Sequence, residues 1–219
     1  MLRTSFFCLF YLYSIFFTVA IASKEDKIKS TFHLTTTNSL YILDVKDYQQ
    51  TEDYTCAPAA VMSILNYYGF IHSNELNKNT ELHIANEMGS SPSDGTSPKQ
   101  IVDWLNKNGF NAKSYTNGKI SDVLKYLYKG IPVLVEWIDW GGHWVVLSGY
   151  QKLGKSIDDD KDTMFLTDPS AHSNNVESIY GLTAINPDRF QSMWFDAQYF
   201  NPGHVVYGIY IVAFPKGKS

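Results

Sequence analysis

From Ala59 the chain carries an almost continuous apolar segment: Ala59, Ala60, Val61, Met62, Ile64, Leu65, Tyr67 and Tyr68. Asn66 interrupts it near the end and Gly69 follows. The pattern predicts a helix apolar around most of its circumference, with Gly69 as its C′ stop. A sparser pattern from Ser73 to Met88, with Leu76, Leu82, Ile84 and Ala85 on one face, predicts a mostly polar helix. Gly89 to Gly95 is a loop by composition. Ser97-Pro98 supplies the N-cap and first residue of a helix with the stripe Ile101, Val102, Trp104 and Leu105, closed by Gly109. Phe110 to Tyr115 is expected as a short strand and Asn117-Gly118 as a turn. Ser121 is expected to cap a helix carrying Val123, Leu124, Leu127 and Tyr128, which Gly130 ends.

The pattern changes at Ile131. Pro132 to Ile138 and His143 to Tyr150 are apolar β runs joined by Gly141-Gly142, which reads as a hairpin in a buried sheet. Lys152 to Asp162 is a charged loop, and Thr163 to Thr167 a third strand ending at Asp168-Pro169. A polar loop follows. Asn186-Pro187 opens a helix through Phe190, Met193, Trp194 and Phe195, and Val205 to Phe214 reads as a last strand. Upstream, Thr31–Thr36 and Ser39–Val45 have β-type composition, the second as a strand or extended arm. Helices dominate the first half and strands the second, which predicts an α+β domain of two lobes.

The N-terminus changes the number of usable cysteines. Arg3 precedes an apolar run from Ser5 to Ile21, and Ala20-Ile21-Ala22 is an A-x-A cleavage signature. Residues 1–22 are therefore expected to be a signal peptide, 23–46 an N-terminal arm, and 47–219 the folded domain. Cleavage would remove Cys8, one of only two cysteines, and Cys56 would enter an oxidising compartment without an intramolecular partner. An odd thiol in an exported chain signals intermolecular pairing or a functional thiol. The net charge of −4, with no basic stripe, argues against nucleic-acid binding. No membrane partner is expected once the signal is removed.

Cys56 stands where a loop becomes the apolar helix, with Pro58 just inside the helix start. The positive end of the helix dipole favours the nucleophilic thiolate there. A thiol nucleophile needs a base, and the base needs an orienting group. His143 begins a strand beside two glycines, and Asp168 ends the next strand, so antiparallel neighbours could bring the two together. Gln50, six residues before Cys56, could donate to an oxyanion together with the Cys56 N–H. Taken singly, these would read as a core cysteine, a strand histidine, a turn aspartate and a surface glutamine; their combination is the signal. Asp158, Asp160 and Asp162 alternate in a loop but lack EF-hand positions, which leaves a solvated acidic turn as the reading. Cys56, His143 and Asp168 have no zinc-site spacing. Of His33, His72, His83, His172 and His204, only His204 is kept as a spare base. No cofactor and no metal are expected.

Gln50-x5-Cys56 before an apolar helix, then Gly142-His143-Trp144-Val145-Val146-Leu147, then Asp168-Pro169, resembles the bacteriocin-processing (double-glycine leader) peptidase-like family of papain-like cysteine proteases. The resemblance runs from about Tyr48 to Phe214 and includes Gly95-Thr96-Ser97 and the Phe190–Trp194 segment. It implies a papain-like two-lobed α+β fold, with the nucleophile on a helix N-terminus in a helical lobe and an antiparallel sheet carrying His and Asp. It implies Cys56 as nucleophile, His143 as general base and acid, Asp168 as orienting residue and Gln50 as oxyanion donor, acting on a peptide or protein substrate through a thioester. The family usually has glycine after the cysteine; Ala57 adds a methyl group there. Its well-known members are fused to a transporter, whereas the expected signal peptide makes this chain an exported peptidase for which a double-glycine leader is not implied. Two alternatives stay open. One is acyl or peptidyl transfer on the same triad, an order similar to that of phytochelatin synthases. The other is a non-catalytic peptide-binding module of the same fold. Tyr54, Trp140 and Trp144 could wall the cleft, with a core role as the simpler reading.

Overall fold

The helix that begins at Cys56, α1 (Cys56–Tyr67), is buried from Cys56 to Leu65, as an apolar circumference requires. It belongs to a computed structural model that describes residues 40–154, 161–171, 181–201 and 204–217. The expected signal peptide, most of the arm, Asp158, Asp160, His33 and His172 lie outside those residues. After α1 come α2 (Lys78–Met88), α3 (Pro98–Lys107), α4 (Ile120–Leu127) and α5 (Pro187–Met193). The strands are β1 (Leu40–Ile42), β2 (Phe110–Tyr115), β3 (Val133–Trp137), β4 (His143–Gln151), β5 (Thr163–Thr167), β6 (Leu182–Ile185), β7 (Phe195–Asn201), β8 (His204–Tyr207) and β9 (Tyr210–Pro215).

Seven strands form one antiparallel sheet in the order β2-β9-β3-β4-β5-β6, with β1 added to the far end of β4; β7 and β8 form a separate hairpin. Side-chain alternation divides the core into two layers. Leu134, Trp144, Val146 and Ile211 pack with α1, α2 and α3. Val133, Val135, Val145, Leu147 and Val212 pack with α4 and with Phe190 of α5. Complete burial of each such side chain contributes roughly 1.5–3 kcal/mol. The sheet is therefore covered by helices on both faces, and β4 is buried over almost its whole length. The α+β class read from the sequence is the class observed.

The local signals explain most boundaries. The Ser97 hydroxyl accepts from Gln100 N and Pro98 stands in the first turn of α3, as the sequence predicts. Gly89 ends α2 in the left-handed region. Four elements differ from expectation. The Ser73–Met88 segment is a short 3-10 turn at Ser73–Glu75 followed by α2, because the Asn77 side chain caps a new start by accepting from Asn79 N and Thr80 N. The residue before α4 is Lys119, and Ser121 lies inside the first turn. Helix α5 stops at Met193, so Phe195 begins β7 instead of ending the helix, and the polar loop before Asn186 contains β6.

The last strand is broken at Gly208. Its φ is +59°, and a Cβ there would lie 2.4 Å from Gly118 N. The chain turns tightly because Gly118 N donates to Gly208 O (3.0 Å) and Asn117 N to Tyr207 O (2.7 Å). Only glycine fits that approach. Gly208→Ala is expected to cost at least about 2 kcal/mol, since the left-handed region alone costs an L-residue roughly 1–2 kcal/mol. Urea unfolding of the variant tests this, and a loss below about 0.5 kcal/mol, the range of ordinary surface changes, would contradict it.

Candidate active site

Cys56 is N1 of α1 and is buried and free. The residue before it, Thr55, does not cap the helix with its side chain. Pro58 has no N–H, and the first N–H groups therefore lie at the positive end of an uncapped helix, a place suited to a developing anion. Ala57 is fully buried in the α1 layer of the core.

His143 opens β4. Gly141 (φ +96°) and Gly142 (φ +150°) precede it in backbone conformations that other residues avoid. The short 3-10 turn Asp139–Gly141 completes the link from β3. Asp168 follows β5, which pairs antiparallel with β4. A bulge on β4 between Leu147 and Gly149 shifts the register by one residue. Bulges commonly re-aim side chains beside functional sites, and this one sets which β5 residue lies beside the start of β4. His143 Nε2 and Asp168 Oδ1 are 2.8 Å apart, with both side chains buried. That contact occupies Nε2, and the Cys56 side chain lies near enough to act on the charge of the imidazole. Burial works against charge on His143. The hydrogen bonds and attractions of Asp168 and Cys56 outweigh it, and the imidazole is pushed up to about 9. Burial also opposes charge on Asp168, yet His143, the Thr183 hydroxyl (2.6 Å) and Ser170 N (2.9 Å) hold its carboxylate below the usual range.

Gln50 is tied to the same loop. Gln50 N donates to Pro169 O (2.9 Å), the Ser170 hydroxyl donates to Gln50 Oε1 (2.6 Å), and the neighbouring Gln49 Nε2 donates to Asp168 O (2.9 Å). Gln50 Nε2 donates to Glu52 O (2.8 Å). A primary amide carries two N–H donors, so one remains for another acceptor. Cys56, His143 and Asp168 are thus brought together, and Gln50 is anchored to the Asp168 loop.

Three buried carboxyl groups, Glu81, Glu136 and Asp196, were not singled out in the sequence. Glu81 of α2 is completely buried and accepts from the Tyr48 hydroxyl, Thr51 N, the Thr51 hydroxyl and the Thr55 hydroxyl. Its position relative to Ile84, Ala85 and Met88 is the i, i+3, i+4, i+7 spacing of the core face, which was the available signal. Glu136 of β3 is also buried, and its Oε2 has no partner among the described residues. Burial first, then the Asp196 and Cys56 side chains, push its carboxyl well above the ordinary range. The folded protein thus keeps a proton that the unfolded chain releases above about pH 4.3. Glu136 contributes stability below that pH and loses it as pH rises through the raised value. Glu136→Gln should therefore gain thermal stability relative to wild type between pH 5 and pH 8. An unchanged difference in melting temperature across that range would contradict this.

Asp162 is buried rather than solvated. It accepts from the Tyr150 hydroxyl (2.6 Å), Leu153 N (2.7 Å) and Gly154 N (2.8 Å), closing the charged loop onto β4. No group of His, Cys, Asp and Glu that could hold a metal ion occurs among the described residues. Trp144 is a core residue whose Nε1 donates to Thr96 O (3.0 Å). His72 and His83 are exposed. His204 begins β8, and its side chain and that of Trp140 lie outside the description. No helix among the described residues is long and apolar enough to cross a membrane.

The model of the Peptidase C39-like family matches residues 42–198, and the chain belongs to that family. Among solved structures, it is similar to the peptidase domain of Streptococcus ComA, a bi-functional ABC transporter involved in a quorum-sensing pathway. That likeness has 20% identity and a TM-score of 0.54, over 78% of this chain and 99% of the other. It is also similar to a double-glycine-motif protease from an AMS/PCAT transporter, solved in complex with the leader peptide. Here the identity is 19% and the TM-score 0.50, over 78% of this chain and 92% of the other. No curated protein matches the chain at a significant level. The fold is that of a papain-like cysteine peptidase domain, as the family resemblance implies.

Proposed function

We propose that the chain is an exported cysteine peptidase that hydrolyses a peptide through a thioester on Cys56. The observation that carries this reading is the buried His143 imidazole, hydrogen-bonded to Asp168 and with its positive charge favoured by both Asp168 and the nearby Cys56. Asp168 fixes the ring so that Nδ1 faces the sulfur. His143 takes the thiol proton, and the sulfur attacks the peptide carbonyl. The resulting oxyanion is held by the Cys56 N–H and the spare N–H of Gln50. Collapse breaks the C–N bond, and His143 gives its proton to the leaving amine. His143 then takes a proton from water, which attacks the thioester, and the acid product leaves with the thiol restored. A peptide substrate is supported by the leader peptide bound to the double-glycine-motif protease.

Export rests on the Ala20-Ile21-Ala22 signature, and the mature N-terminus is then Ser23, readable by sequencing the secreted chain. The test of the paired thiol is alkylation. Because the thiolate is the nucleophile and the imidazole holds its charge up to about pH 9, iodoacetamide should label Cys56 at pH 6, and His143→Ala should lose that labelling. Equal labelling of both forms at pH 6 would sink the proposal.

A further inference from the structure

We propose that Glu81 is a positioning residue for acyl transfer at Cys56, setting both oxyanion donors through Thr51 and Thr55. The inference rests on the peptidase reading above. Five residues separate Gln50 from Cys56; Pro169 and Ser170 hold Gln50, and Thr55 bonds back to Glu52 O within the loop. Glu81 ties the residues next to both donors, Thr51 and Thr55, to one carboxylate on a neighbouring element. One oxygen accepts from Thr51 N (2.8 Å) and the Thr55 hydroxyl, and the other from the Thr51 hydroxyl (2.7 Å) and the Tyr48 hydroxyl (3.0 Å). The bonds reach the residue after Gln50, the residue before Cys56 and the segment just upstream. Glu81 itself sits on the face of α2 that packs in the α1 layer, so its carboxylate cannot drift.

The bond to Thr55 has a second consequence. A threonine before a helix ordinarily turns its oxygen onto the N–H groups of the first turn. Here the hydroxyl is directed to Glu81 and to Glu52 O (2.9 Å), and no side chain caps α1. The helix N-terminus is left open beside Cys56, where an oxyanion forms. Loss of Glu81 would loosen Thr51 and Thr55 beside the two donors and free Thr55 to occupy the N-terminus itself.

The separation of two reactions at one sulfur tests this. Alkylation by iodoacetamide is displacement at carbon and forms no oxyanion. With p-nitrophenyl acetate, the thiolate adds to the carbonyl, passes through a tetrahedral oxyanion and expels p-nitrophenolate, leaving an acetyl thioester. Removal of one oxyanion donor typically costs 10²–10³-fold. Glu81→Ala should therefore slow acetylation about 10²-fold while alkylation keeps its wild-type rate. Glu81→Gln preserves the volume but turns an N–H2 toward the Thr donors; it serves if the alanine variant fails to fold, and should show the same split. Equal loss of both reactions, or loss of neither, in a variant with a cooperative melt would overturn the proposal. A wild-type protein that is never acetylated while its Cys56 alkylates would instead sink the peptidase reading.

Discussion

His143→Ala is expected to lower peptide turnover by at least about 10³-fold, the middle of the range a general acid–base residue supplies. In the proposed mechanism its imidazole takes the thiol proton, protonates the leaving amine and then activates water, so the variant would lose all three proton transfers at once. The pH profile carries the same signature. With the imidazole pushed up to about 9, the wild-type alkaline limb should fall as His143 loses its proton near that pH. The variant's residual activity should lack that limb. Steady-state rates between pH 5 and pH 10 decide the matter, and a variant with wild-type turnover at pH 7 would refute the role.

Asp168→Ala should damage both stability and activity. The substitution strips an acceptor from His143, from the Thr183 hydroxyl and from Ser170 N, all in a buried setting. Breaking one side of a buried pair costs on the order of 3–5 kcal/mol. Loss of the orienting group should lower turnover by roughly 10²–10⁴-fold. Asp168→Asn, which can still accept from Nε2–H, should be the milder change. The pH dependence follows from the two shifts. Asp168 is held below its ordinary value of about 3.9, so its contribution is present above that pH and lost as pH falls further. His143 is raised above its ordinary value of about 6.5, so its contribution is complete below pH 6.5 and is lost as pH rises through about 9. The stability deficit of Asp168→Ala should therefore be largest between about pH 4 and pH 6.5. Denaturant melts at pH 5.5 and pH 9.5 measure it, and a larger deficit at the higher pH would contradict the account.

Cys56, His143 and Asp168 were legible as candidates because each stands at a boundary that local chemistry marks. Cys56 precedes an apolar helix, His143 follows two glycines, and Asp168 precedes a proline at the end of a strand. Strands β2 and β5 were legible for the same reason, being bounded by Gly109 and Asn117 and by the charged loop and Asp168. What sequence reading missed was set by distant partners. The break at Gly208 depends on Gly118, ninety residues earlier in the chain by number. Strand β6 is only four residues long, buries only Ile185, and gains its place by pairing with β5. Glu81 falls on the core face of its helix by spacing, but what holds a carboxylate there is not visible until Thr51 and Thr55 are placed beside it. Asp162 looks like part of an acidic turn until Tyr150 is seen to donate to it. In each case the deciding term is a tertiary hydrogen bond or a close backbone approach, neither of which has a local pattern.

The central claim is that Cys56 cleaves peptide bonds. It is tested most directly by incubating the protein and its Cys56→Ala form with a peptide library and reading the products by mass spectrometry. The account predicts hydrolysis fragments, each pair summing to its parent plus one water, from the wild type alone. Products joined to a second amine would assign peptidyl transfer to the same residues. Identical spectra from the two proteins would contradict the account.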